Sequence, residues 1–118
     1  MKKTLRRGSV AMGAMLLAAM ASTTSASAAP GINPIEIGDY GYGVRCVQAA
    51  VDYWGGTSRG VSVKVDGQFG NATENAVMEF QKDFGIAPDG VVGPQTGNYI
   101  VGYAEHWDPR CTGVVPTS

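Results

Sequence analysis

One eight-residue phrase occurs twice in this chain and fixes where its corners fall. The first copy is Asp66-Gly67-Gln68-Phe69-Gly70-Asn71-Ala72-Thr73, and the second, 23 residues on, is Asp89-Gly90-Val91-Val92-Gly93-Pro94-Gln95-Thr96. Two copies are too few for a solenoid, which needs at least three stacked units to bury a core. One supersecondary unit is therefore used twice. Asp-Gly marks a tight turn, because Asp bonds nearby backbone and Gly accepts positive φ at no steric cost. The apolar residue that follows, Phe69 or Val92, anchors the turn. Gly70 and Gly93 then sit where helices can begin, with Pro94 at a favoured first helical position. Asp66, Gly67, Gly70, Asp89, Gly90 and Gly93 are thus structural turn residues. A calcium loop is the competing reading, but an EF-type loop needs several oxygen ligands and a closing Glu at a spacing missing here.

Apolar periodicity supplies the helices between these corners. Val44, Val47, Val51 and Trp54 recur at spacings of three and four, predicting a first helix over 42–54 that Gly55-Gly56 ends. Asp39, in the turn cluster before it, is a cap candidate. Thr73, Ala76, Val77, Phe80 and Phe84 predict a second helix over 71–84. Thr96, Tyr99, Ile100 and Tyr103 predict a shorter third, weakened by Gly97. Val61, Val63 and Val65 alternate with polar residues, but no second strand-like run exists to pair with them. They form one short extended segment on the helices. The fold class is mostly α: a small three-helix domain with Asp-Gly turns at its corners.

The first 28 residues carry the three parts of a secretory signal. Lys2, Lys3, Arg6 and Arg7 are its basic start, Val10 to Ala21 its apolar centre, and Ala26-Ser27-Ala28 a cleavage site near Ala28 or Ala29. The apolar run falls short of the ~20 residues a spanning helix needs, so export is favoured over anchoring. Of nine basic and ten acidic residues, four basic ones leave with the signal. The acidic remainder argues against a nucleic-acid or anionic-membrane partner. An anionic ligand would be held locally, by Arg45, Arg59, Lys64 or Lys82. Two cysteines in an exported chain suggest a Cys46–Cys111 bridge, which would draw the tail, residues 104–118, back over the first helix. Two reduced thiols, or a zinc site with His106, are the poorer alternatives.

In order, the residues read Gly38-Asp39-Tyr40-Gly41 with Val44, Val47 and Gln48; then Val65-Asp66-Gly67-Gln68-Phe69-Gly70 with Thr73, Ala76, Val77, Phe80 and Gln81; then Gly85-Ile86-Ala87-Pro88 leading into the second phrase. This set closely resembles the peptidoglycan-binding domain found beside wall amidases and carboxypeptidases, and in animals as the propeptide of matrix metalloproteinases. The resemblance covers about residues 36–103. It implies a three-helix fold and non-catalytic attachment to bacterial cell wall, with no cofactor and no metal. Two positions depart from the family pattern. Gly97 stands where a Trp often follows the last Thr, and Val47 replaces the usual Leu before Gln. Trp54 or Trp107 is expected to fill the lost volume, with Trp107 covering an open edge of the core. No catalytic domain is recognised beside the module, which is expected to act alone as a secreted or wall-associated monomer.

Peptidoglycan offers sugar rings, amides and stem-peptide carboxylates, which call for aromatic faces, amides and a cation. Tyr40 and Tyr42, in the turn before the first helix, with Arg45 and Gln48 on its first turns, form the candidate ligand site. For the tyrosines the competing role is packing around a glycine turn, and for Gln48 and Gln81 it is hydrogen bonding to backbone. A second reading is a secreted partner-binding or inhibitory protein acting on a cell-wall enzyme, marked by an exposed apolar patch in place of a polar groove. A cell-wall hydrolase ranks last, because His106 is the only histidine and no recognisable nucleophile–base or carboxylate pair accompanies it.

Overall fold

In the computed structural model the described residues are 32–56 and 59–118, so the expected signal segment lies outside them. Helix α1 spans Tyr42–Gly56, α2 Asn71–Asp83 and α3 Pro94–Ala104, and a 3₁₀ turn follows at Pro109–Gly113. The predicted faces are the buried ones. Val44, Val47, Val51 and Trp54 of α1 meet Ala76, Val77 and Phe80 of α2 and Ile100 of α3 in one core. Their periodicity is the cause: residues three and four apart share a side of the helix, and burying that side is the main favourable term in so small a domain. Phe84 and Tyr103 are half-buried against this core, and Tyr99 lies outside it, stacked on Phe84 at 4.6 Å between ring centroids.

Both Asp-Gly phrases make corners. Gly67 and Gly90 hold φ of 79° and 76°, a region other residues enter only with strain. Phe69 and Val92 bury beside them as anchors. Gly70 and Gly93 are the extended residues before α2 and α3, and Pro94 occupies the first turn of α3. Neither helix start has a side-chain cap.

No regular strand occurs among the described residues. Val61 to Val65 is extended, with Val63 buried and its N–H donated to Asp52. It lies against α1 because Gly55 has no Cβ: one built there would stand 2.5 Å from the Val61 Cβ. The lead-in does more than the sequence suggests. Ile35 exchanges two backbone hydrogen bonds with Val92, and Tyr40 forms a bridge with Gln68. One extended strap therefore ties both corners. Asp39 does not cap α1; its carboxylate accepts from the Glu36 N–H inside the strap.

The Cys46–Cys111 disulfide is formed, and the tail returns across α1 as expected. Its end goes further, to α3. A Cβ on Gly97 would meet the Pro116 carbonyl oxygen at 1.6 Å, and Asn98 exchanges hydrogen bonds with Ser118. The volume vacated at Gly97 is thus taken by the tail's own Val115 and Pro116, which are buried, and not by either tryptophan. Trp107 stays at the surface, 45% exposed, with its ring 5.9 Å from that of Tyr42. Trp54 is buried in the core against Phe80.

Candidate functional site

The four predicted ligand residues divide into two pairs. Gln48 is buried, and its amide is fully used. The two Nε2 hydrogens are shared among Asp66 Oδ1 and the Gln68 carbonyl at 2.9 Å and Thr73 Oγ1 at 3.1 Å, while Oε1 accepts from the N–H groups of Asp66 and Gly67. Gln81 does the same for the second corner. Its two Nε2 hydrogens are shared among Asp89 Oδ1, the Val91 carbonyl and Thr96 Oγ1, and its Oε1 accepts from the Gly90 N–H. Each glutamine is a bolt through the following Asp-Gly turn, matching its groups donor to acceptor. A glutamine so committed has no group left for a ligand, which decides between its two predicted roles in favour of the structural one. The same bonds show what the Asp-Gly carboxylates do: Asp66 and Asp89 accept N–H groups of their own corners. The Gln68 N–H first, then the Gln48 amide, hold the Asp66 carboxyl below its usual range.

Tyr42 is half-buried by the tail. Its hydroxyl donates to Asp108, and the Arg110 guanidinium lies 5.7 Å from its ring centroid. Arg110 also pairs with Asp108 at 2.7 Å. Arg110 first and the Tyr42 hydroxyl second hold the Asp108 carboxyl far below the ordinary range, and Asp108 in turn raises the Tyr42 phenol. The tyrosine is a tether for the tail.

Tyr40 and Arg45 remain outside. Tyr40 is 79% exposed, and Arg45 is exposed with its side chain against Gly67 of the first corner. Arg59 pairs with Asp83 at 3.1 Å and Lys82 with Glu79 at 3.2 Å, whereas Arg45 and Lys64 form no ion pair among the described residues. The groove beside the first corner, about 250 Å³, is lined by Lys64, Gln68, Asn71 and Thr73 among others. Its floor is the Gln48 bolt. The groove thus carries one ammonium, from Lys64, beside the Asp66 carboxylate and the Gln68 and Asn71 amides, a polar lining suited to a polar ligand. Arg45 lies on the other side of the same corner, against Gly67. Among the described residues no three metal-ligating side chains cluster.

The described residues form three helices turned by paired Asp-Gly corners. The family model described as "Putative peptidoglycan binding domain" matches residues 41–99, half of the chain. The chain belongs to that family of peptidoglycan-binding domains. It is 39% identical over 106 residues to the zinc D-Ala-D-Ala carboxypeptidase of Streptomyces albus G, covering 83% of this chain and 40% of that enzyme. Over 32 residues it is 53% identical to the N-acetylmuramoyl-L-alanine amidase CwlM of Mycobacterium tuberculosis, covering 27% of this chain and 8% of the amidase. The chain thus spans well under half the length of either relative. The crystal structure of the SleB N-terminal domain superposes with a TM-score of 0.55 at 33% identity, covering 64% of this chain and 99% of that one.

Sequence reasoning missed the tail's part in the surface. Tyr42, Asp108 and Arg110 meet across 66 residues, as do Tyr53 and His106 from α1 and the tail. The available signal was Cys111: once bridged to Cys46, it brings every residue a few positions before it onto α1.

Proposed function

We propose that this protein is an exported, non-catalytic module that attaches to bacterial cell-wall peptidoglycan. The observation that carries the reading is the family match, together with both Asp-Gly corners bolted by buried glutamines. A signal-like first 28 residues supports export, and no described helix is long and apolar enough to cross a membrane. Tyr40 and Arg45 are the direct contacts in this reading, with Lys64 nearby. The guanidinium pairs a stem-peptide carboxylate, and the phenol ring covers an apolar face of the ligand. Tyr42 and Gln48 support them by fixing the tail and the first corner.

Co-sedimentation of the oxidised chain with insoluble peptidoglycan stripped of teichoic acid tests this, with cellulose as control and an assay for released fragments. Saturable binding without fragment release is expected. Arg45→Ala should weaken it roughly tenfold, the loss of one charge-assisted contact. Released fragments would mean an enzyme. Failure to bind the wall would leave a protein partner, such as a wall enzyme, as the ligand.

A further inference from the structure

Beyond the family match the chain builds a second recess, about 440 Å³, between the outer side of α1 and the tail. Ala49 and Val65 line it along with Asp52, Tyr53, His106 and Trp107. Tyr53 is 40% and Trp107 45% exposed, a large aromatic area to leave in water on a domain this small. His106 holds the Tyr53 ring edge-on at 4.5 Å, and Tyr42 backs Trp107. The walls are therefore positioned by packing on both elements.

Several polar atoms around these rings take no hydrogen bond among the described residues. Asp52 uses Oδ1 to accept from the Val63 N–H and the Ser62 hydroxyl, while Oδ2 takes no hydrogen bond among the described residues. The Tyr53 phenol, the imidazole nitrogens of His106 and the Trp107 indole N–H likewise have none among the described residues. Aromatic faces beside free hydroxyl, imidazole and carboxylate groups match a sugar ring, which offers a CH face and hydroxyl edges. Charge decides against the other wall component. No Lys or Arg lines the recess, and a stem-peptide carboxylate would face Asp52 without compensation.

We infer that this recess is a glycan subsite that takes an N-acetylated sugar ring of the wall polymer, distinct from the Tyr40–Arg45 patch. The inference rests on the wall-binding reading and assigns its glycan half. Arg45, Ala49, Asp52 and Tyr53 follow one another on a single side of α1, so the two patches lie about 12 Å apart along the helix, at 1.5 Å per residue. An extended polymer can touch both.

The test is NMR titration of the full oxidised chain with a soluble β-1,4-linked N-acetylglucosamine oligomer and with peptide-free glycan strands. Trp54, buried and bonded to Asp83, serves as an internal control. Saturable shifts of the Trp107 indole and Tyr53 signals are expected, with the Trp54 indole unmoved. Trp107→Ala and Asp52→Asn should each weaken sugar binding roughly tenfold. Absence of a saturable Trp107 shift in the wild type overturns the subsite whether or not the variants fold, as does unchanged affinity in Trp107→Ala. If intact peptidoglycan is still bound in that case, the wall-binding reading survives alone. Loss of both overturns both.

Discussion

At the scale of single residues, two glutamines hold the fold's corners. Gln48→Leu keeps the volume but leaves the Asp66 and Gly67 N–H groups without partners, while the Gln68 carbonyl keeps only its bond from the Gly70 N–H. Each orphaned buried group costs about 1–3 kcal/mol, so a loss of about 2–4 kcal/mol is expected from chemical denaturation, with Gln81→Leu alike. Asp66 and Asp108 add a pH dependence. Both carboxyls are held below their usual value in the folded chain. Their stabilisation is therefore complete above the unfolded value, ~3.9, and is lost as pH falls through the lower folded values. Melting temperature should drop with acid below about pH 4, and Asp108→Asn should flatten part of that slope. The opposite sign, stability rising on acidification, would contradict these assignments. Much of this scale was legible. The repeated phrase marked the corners, and the heptad-like valines marked the core. What glutamine does was not legible, because a Gln near a turn reads equally as a ligand group or a bolt until its neighbours in space are known.

At the scale of elements, the tail is a structural part of the domain and not an appendage. It is fixed at Cys111 by the disulfide, at Tyr42 by Asp108, and at Gly97 by the Pro116 carbonyl. Gly97→Ala would put a Cβ where that carbonyl stands, although alanine is otherwise the better helix former. The tail must move, so faster amide exchange at Val115 and Ser118 and a lower melting temperature are expected, by about 1–3 kcal/mol of overpacking. A more stable Gly97→Ala variant would show that the contact is not closed in solution. Removing the disulfide with Cys46→Ser and Cys111→Ser should cost up to ~4 kcal/mol by the chain-entropy account for a loop this long. The bridge was readable from two cysteines in a chain with a signal-like start. The seat at Gly97 was not, because a glycine in a weak third helix looked like a defect and its occupant lay 19 residues away.

At the scale of the whole molecule, the two proposed recognition patches are joined by one helix. The strap at Ile35 and Tyr40 ties the two corners, the first corner is bolted by Gln48 of α1 and the second by Gln81 of α2. The tail is bridged to α1, whose inner side carries the core and whose outer side carries Arg45 and Tyr53. The first patch could be proposed from sequence because Tyr40 and Arg45 are near neighbours in the chain. The second could not, because it is assembled from α1 and residues more than fifty positions later. The measurement that bears most directly on the account is a binding isotherm of the oxidised chain on purified insoluble peptidoglycan, alongside the Tyr40→Ala/Arg45→Ala variant. Saturable binding by the wild type, no soluble fragments, and a markedly weakened variant with an unchanged melting temperature are predicted. Wild-type binding no greater than to cellulose would contradict the account.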